Sequence, residues 1–173
     1  MTDTSTHHAR RRVLTWHDPL ETAARGRALS GLAFLQQMAD GAIPPPPISM
    51  LMGFRIVEVS PGRAVFACAP DESHYNPIGL VHGGLLCTLA DTVIGCAVSS
   101  TLEAGVGYTS IDVQVSFLRP VTVRTGELLA TGLVTKPGRR VAFARAEIAA
   151  PDGRMVATAT GSCLIIDRPP DAT

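Results

Sequence analysis

One carboxylate stands alone in the longest apolar stretch of the chain. From Gly83 to Leu102 the sequence GGLLCTLADTVIGCAVSSTL carries a single charged residue, Asp91. A carboxylate within an apolar helix is costly unless it is paired, hydrogen-bonded or protonated. Asp91 is therefore a candidate acid of a hydrolytic site. The alternative is a structural acid that hydrogen-bonds a neighbouring chain.

A second candidate group begins the same stretch. His82-Gly83-Gly84 is a small-residue start that would leave backbone N–H groups accessible at a helix N-terminus. Such groups stabilise an anion or a developing oxyanion. Together with one acid they suit hydrolysis at a carbonyl carbon. The glycines could also serve close packing only, and His82 a local backbone hydrogen bond.

The flanking segments predict the elements that hold these groups. Two strand patterns precede the apolar helix and four follow it, with turns at Pro61-Gly62, Pro137-Gly138 and Asp152-Gly153. No strand–helix–strand alternation follows the helix. We therefore expect an α+β fold in which an antiparallel sheet wraps one long helix. The predicted strands are Phe54–Val59, Ala64–Cys68, Tyr108–Leu118, Glu127–Thr135, Val141–Ala149 and Met155–Ile166.

The strand Tyr108–Leu118 alternates apolar and polar residues without interruption. This pattern predicts Ile111, Val113, Val115 and Phe117 on one face of the sheet.

Four segments are predicted along the chain. Residues 1–17 are polar and basic and form a disordered tail, and 168–173 form a second tail. Residues 18–47 form a helical extension with a proline-rich spacer, in which Gly31 can divide the helix, and 48–167 form the main domain. The run Pro44–Pro47 is stiff and extended. It has no basic anchor, so a spacer is favoured over a ligand for an SH3-type domain.

Composition narrows the function classes. Fifteen basic and fifteen acidic residues give no electrostatic reason to expect nucleic acid as a partner. Asp91 at the centre of the apolar stretch and amphipathic strands on both sides argue against a membrane span. The four cysteines contain no C-x-x-C pair, so we expect buried reduced thiols in a cytoplasmic protein, without metal or cofactor.

The two candidate groups are too far apart to share one small substrate within one chain. Asp91 lies eight residues beyond Gly83, which is about 12 Å along a continuous helix. A two-fold dimer with antiparallel helices would bring Asp91 of one chain to the Gly83 end of the other. The strand Tyr108–Leu118 could supply the dimer contact by edge pairing.

The segment NPIGLVHGG from Asn76 to Gly84, followed by Asp91, resembles the signature of the hotdog-fold acyl-CoA thioesterases of the PaaI-like (phenylacetyl-CoA thioesterase-like) family. The later VSFLRP from Val115 to Pro120 and the hairpin at Asp152-Gly153 also fit this family. The resemblance covers about residues 50–167. It implies a hotdog fold and hydrolysis of acyl-CoA to free acid and CoA by a dimer or a dimer of dimers.

The resemblance also implies roles for individual residues. Asp91 stands at the catalytic carboxylate, as general base or nucleophile, and Gly83 at the oxyanion-hole N–H. Asn76 matches the amide that holds the thioester or the water, although an Asn before a proline also forms turns for local reasons. His82 matches the histidine that positions the loop. Some relatives have Ser or Thr one turn after the carboxylate, where this chain has Gly95.

Three arginines and one glycine are candidates for substrate binding. The phosphates of coenzyme A need cations, and Arg119, Arg139 and Arg140 lie at predicted strand ends, with Gly84 beside the reacting group. Ordinary surface charge explains these arginines equally well. Two other functions stay open: an acyl-CoA-binding hotdog module without catalysis, and a hotdog hydratase or dehydratase acting on an acyl thioester.

Overall fold

The computed structural model describes residues 9–166, which form four helices and six strands. The helices are α1 (Pro19–Arg27), α2 (Gly31–Ala39), α3 (Pro47–Met52) and α4 (Gly83–Ser99). The strands are β1 (Phe54–Ser60), β2 (Arg63–Cys68), β3 (Gly107–Phe117), β4 (Leu128–Lys136), β5 (Val141–Ala149) and β6 (Met155–Ile166).

The six strands form one antiparallel sheet in the order β1-β2-β4-β5-β6-β3. Helix α4 packs on this sheet and contacts every strand. The predicted α+β architecture, a sheet wrapped around one long helix, is therefore confirmed. Strands β1 and β3 are the two edges of the sheet in the single chain.

Small residues on the sheet allow α4 to approach closely. A Cβ at Gly132 of β4 would lie 2.0 Å from the carbonyl oxygen of Val93, so the strand backbone touches the helix backbone there. The large side chains of the helix fill the remaining space, and Leu89, Val93 and Ile94 are fully buried. Each such side chain stabilises the fold by roughly 2 kcal/mol through removal of apolar surface from water.

Strand β3 departs from the predicted alternation at one residue. A bulge falls between Ser110, which pairs with Cys163, and Asp112, which pairs with Ser162. The extra residue, Ile111, has 55% of its surface exposed. The prediction that Ile111 shares the apolar face of β3 was wrong, because a bulge shifts the two-residue period.

The N-terminal extension lies against the core. Ser30 caps α2 by accepting a hydrogen bond from the Ala33 N–H, and the chain divides before Gly31 as predicted. The Gly31 N–H donates to the Leu102 carbonyl at 3.0 Å, which ties α2 to the residues that follow α4. Helix α3 was not predicted, because it begins at Pro47, the last residue of the proline run that was expected to be extended.

The predicted tails fall mostly outside the described residues. Residues 1–8 and 167–173 are not described, and residues 9–18 have no regular secondary structure. No helix in the 9–166 region is long and apolar enough to cross a membrane.

Candidate active site

The N-terminus of α4 is capped by the side chain of the preceding residue, His82. His82 Nδ1 accepts a hydrogen bond from the Gly84 N–H at 2.8 Å, and its backbone N–H donates to the His74 carbonyl at 2.7 Å. An accepting Nδ1 leaves the proton of the neutral ring on Nε2. The Gly84 N–H is thus engaged within the chain. The Gly83 N–H has no acceptor among the described residues and is available to a ligand.

Asn76 organises the loop before α4. Its side-chain oxygen accepts hydrogen bonds from the Ile78 N–H at 3.1 Å and the Leu80 N–H at 3.3 Å. This local turn accounts for an Asn before a proline. The side-chain NH2 group of Asn76 has no acceptor within residues 9–166, so it still offers two donors.

Asn76 and Gly83 line one surface cleft together with Phe117 and Arg119. A Cβ at Gly83 would lie 2.9 Å from Cζ of Phe117, so the ring covers the glycine directly. Asn76 and Gly83, whose donors were predicted to act together, therefore border the same cleft. Gly83 is glycine partly because an aromatic ring packs on it.

Asp91 lies on a different turn of the same helix. It is half-buried, and its Oδ1 accepts a hydrogen bond from the Ser110 hydroxyl of β3 at 2.6 Å. A hydrogen bond to a carboxylate is stronger than one between neutral groups and fixes its orientation. The second oxygen, Oδ2, has no described partner.

Ser110 is a site residue that sequence reasoning missed. An uninterrupted alternation through β3 puts the even-numbered polar residues away from the helix. The bulge at Ile111 reverses the alternation between the two sides of it. Even-numbered Ser110 before the bulge therefore faces α4, and odd-numbered Val113 after the bulge packs on the core. No local signal in the sequence marks the bulge, and only the pairing of β3 with β6 reveals it.

One face of α4 is not covered by the sheet of its own chain. Its residues are partly accessible, in contrast to the fully buried Leu89, Val93 and Ile94 on the covered side. Thr88 and Thr92 on this face donate their hydroxyls to the helix carbonyls of Gly84 and Thr88, so both hydroxyls are engaged within the helix. The accessible face consists of Gly84, Cys87, Thr88, Asp91, Thr92, Cys96 and Ser99.

Tyr108 occupies the space beside Gly95. A Cβ at Gly95 would lie 2.6 Å from the Tyr108 hydroxyl oxygen, so the phenol of β3 rests on the helix backbone one turn after Asp91. Burial raises the pKa of Tyr108 well above its ordinary value, and the nearby thiols of Cys96 and Cys163 and the Asp91 carboxylate act in the same direction.

The predicted cations lie in two places. Arg119 lines the cleft with Gly83, and its Nη1 donates to the Met155 carbonyl at 2.5 Å. Arg139 and Arg140 lie in the turn between β4 and β5, where the Arg140 carbonyl accepts from the Ile165 N–H. Ile165 pairs with Tyr108 near the start of β3, whereas Arg119 lies just beyond the end of β3. Within one chain, Arg140 and Arg119 are therefore separated by about the length of this strand, roughly 30 Å.

Three cysteine thiols have raised pKa values, which disfavours the reactive thiolate. Burial raises the pKa of Cys68 and Cys96 to about 12 and that of Cys163 to about 11. Within the described part of the chain no three His, Cys, Asp or Glu side chains converge to hold a metal ion. The candidate site therefore consists of one carboxylate, backbone and amide donors, and hydroxyl groups.

Comparison with known proteins identifies related chains. The family model of the Thioesterase superfamily matches residues 78–157. A provisionally named esterase of Pseudomonas aeruginosa is 33% identical over 117 residues, which cover 67% of this chain and 85% of that protein. The solved structure of the E. coli PaaI protein, from the phenylacetic acid degradation operon, superposes with a TM-score of 0.68 at 27% identity. The superposition covers 80% of this chain and 96% of the PaaI chain.

Human acyl-coenzyme A thioesterase 13 is 32% identical over 94 residues, or 54% of this chain. The match spans 65% of the human protein, slightly less than two thirds of its length. On the fold, the family model and these relatives, the chain belongs to the thioesterase superfamily, among its PaaI-like hotdog proteins.

Proposed function

We propose that this protein hydrolyses acyl-CoA thioesters to a free acid and CoA. The observation that carries the proposal is Asp91, a half-buried carboxylate that Ser110 fixes through Oδ1 and that has no described partner at Oδ2. Its position on the accessible face of α4, in a chain of the thioesterase superfamily, supports a reactive role for this acid. The human relative is named an acyl-coenzyme A thioesterase.

The chemistry assigned to the site follows from these groups. Asp91 acts as general base on a water molecule, or as the nucleophile that forms an anhydride which water then hydrolyses. The Gly83 N–H, at the positive end of the α4 dipole, stabilises the oxyanion of the tetrahedral intermediate. The Asn76 amide donates to the thioester carbonyl or the water. His82 keeps this helix terminus in place.

The active site is proposed to be shared between two subunits. Asp91 and Gly83 are about 12 Å apart along α4, so one chain cannot bring both to one thioester. The accessible face of α4 and the edge strand β3 supply the surface for a two-fold pairing with antiparallel helices. The assembly formed by this pairing is a homodimer, or a homotetramer built from two dimers.

The same pairing accounts for the distribution of cations. In a two-fold arrangement, Arg139 and Arg140 of one subunit approach the end of the site at which Arg119 and Gly83 of the other lie. The phosphates of CoA would then be bound by arginines from both chains. Gly84 contributes close approach of the backbone at the substrate.

The location and domain organisation complete the proposal. Residues 48–167 form the catalytic hotdog unit, and residues 18–47 an extension docked on it. Buried, protonated thiols suit the reducing cytoplasm, which we propose as the location.

The test is thiol release from a panel of acyl-CoAs: phenylacetyl, hydroxybenzoyl, hexanoyl and palmitoyl. We expect wild-type turnover on at least one substrate and a loss of about two orders of magnitude or more in kcat for Asp91→Asn, because the amide cannot accept a proton or attack. Circular dichroism establishes that the variant is folded. Absence of turnover on the whole panel would favour a binding module, and undiminished activity of Asp91→Asn would make Asp91 a structural acid.

A further inference from the structure

The Tyr108 hydroxyl is a polar group whose partner is absent from the described chain. No described residue forms a hydrogen bond with it, although the phenol packs between β3 and α4. Every fully buried side-chain oxygen and nitrogen of residues 9–166 has a partner, so this unpaired hydroxyl is not completely buried. Polar groups in such surroundings are normally hydrogen-bonded.

The hydroxyl lies on the same side of α4 as Asp91, and the charge of Asp91 is one of the causes that raise the pKa of Tyr108. Gly95 and Asp91 are four residues apart and therefore lie on the same side of α4, about 6 Å from each other along the axis. Tyr108 and Ser110 are two residues apart and precede the bulge, so both point towards the helix. Ser110 contacts Asp91 and Tyr108 contacts Gly95, which puts the phenol one helical turn from the carboxylate.

We propose that Tyr108 orients the water that is consumed at Asp91, and that position 95 is glycine because the phenol occupies the space of a side chain there. The inference rests on the thioesterase function proposed above. It adds Tyr108 to Asp91 and Ser110 as residues that act on the reaction. It also accounts for the absence of a Ser or Thr hydroxyl on α4 at Gly95.

The chemical step is balanced without further reactants. Water transfers one proton to Asp91 Oδ2, and its oxygen bonds to the thioester carbonyl carbon. The C–S bond then breaks, and the CoA sulfur takes up the proton held by Asp91, which regenerates the carboxylate. The Tyr108 hydroxyl makes one hydrogen bond to the water and keeps its own proton, since burial raises its pKa above the ordinary value of 10.0. If Asp91 instead forms an anhydride, the same hydroxyl orients the water that hydrolyses it.

The first test compares Tyr108→Phe with the wild type on a substrate that the wild type turns over. Removal of one hydrogen bond to the reacting water is expected to lower kcat roughly three- to tenfold, with KM, thermal stability and oligomeric state within error of the wild type. A hydroxyl bonded only to a partner subunit would change stability or assembly and leave kcat intact, and that result overturns the proposal.

Gly95→Ala tests the steric half of the inference. The new Cβ would meet the Tyr108 hydroxyl oxygen at 2.6 Å and displace the phenol from the water. We expect a kcat loss of at least the size seen for Tyr108→Phe, and little further loss when both substitutions are combined, since they remove the same interaction. Losses that multiply in the double variant contradict a shared role.

The second tyrosine of the sequence provides a matched control. The Tyr75 hydroxyl accepts a hydrogen bond from the Val123 N–H at 2.9 Å and so has a structural partner. Tyr75→Phe is expected to lower thermal stability and leave kcat unchanged. The outcomes also separate the two proposals: no turnover by the wild type fails the proposed function, whereas wild-type turnover that Tyr108→Phe preserves fails only the role of Tyr108.

Discussion

At the scale of single residues, the carboxylate proposed to be catalytic is hydrogen-bonded by a residue that is far away in sequence. Ser110 donates to Asp91 from a different element at 2.6 Å, and the fully buried Leu89, Val93 and Ile94 hold the opposite side of the helix. Asp91 and the Asn–His-Gly-Gly segment could be proposed from the sequence, because their residue types are unusual in their surroundings. Ser110 could not, because its direction is set by a bulge.

The Ser110 contact makes a prediction at this scale. Ser110→Ala removes a hydrogen bond to a charged group, which typically contributes about 1.5–3 kcal/mol, so we expect kcat to fall by roughly one to two orders of magnitude. Steady-state hydrolysis of the best acyl-CoA measures this.

The matched control is Ser162→Ala. The Ser162 hydroxyl of β6 donates to Asp112 of β3 just beyond the bulge, so the substitution breaks a Ser–Asp pair that involves β3 but not α4. It is expected to lower stability and to preserve kcat. Equal kcat values for Ser110→Ala and the wild type would mean that Asp91 needs no support from β3.

At the scale of elements, the order of strands and the long helix were predictable, whereas two details were not. Periodicity and turn residues such as Pro61-Gly62 and Asp152-Gly153 are local signals, and the structure confirms the elements that they predict. Helix α3 and the β3 bulge have no such signals. The bulge arises from pairing with β6, and α3 is a short helix after prolines.

The N-terminus of α4 makes the prediction at this scale. His82→Ala removes the side chain that caps the Gly84 N–H, which costs roughly 1 kcal/mol of folding free energy and loosens the proposed oxyanion donors. His82→Asn supplies a cap of another chemistry. We expect thermal denaturation and kcat measurements to show that Ala lowers both stability and activity and that Asn restores most of both.

The pair of variants separates two roles of this histidine. If Asn restores the melting temperature but not kcat, capping alone does not explain the role of His82, and the imidazole itself contacts the substrate. If Ala changes neither quantity, the contact between His82 Nδ1 and Gly84 contributes nothing to the site.

At the scale of the whole molecule, the described chain carries all the proposed groups but separates them. Arg119 and Gly83 lie at one end of α4, and Arg139 and Arg140 lie towards the other. The sequence could indicate this separation, since helix rise fixes the distance from Asp91 to Gly83. The sequence could not specify how a second chain packs. The edge strand β3 and the accessible face of α4 form only one side of the proposed dimer interface.

The most direct test of the account is complementation between two inactive variants. Asp91→Asn removes the carboxylate. Asn76→Asp keeps the acceptor that holds the loop but removes the amide donors at the other end of α4. After the two proteins are unfolded together and refolded in equal amounts, the account predicts about a quarter of wild-type activity, because half of the dimers are mixed and each of these contains one intact site. Native mass spectrometry verifies the mixed dimers; if they form and the mixture stays inactive, the site is not shared between subunits.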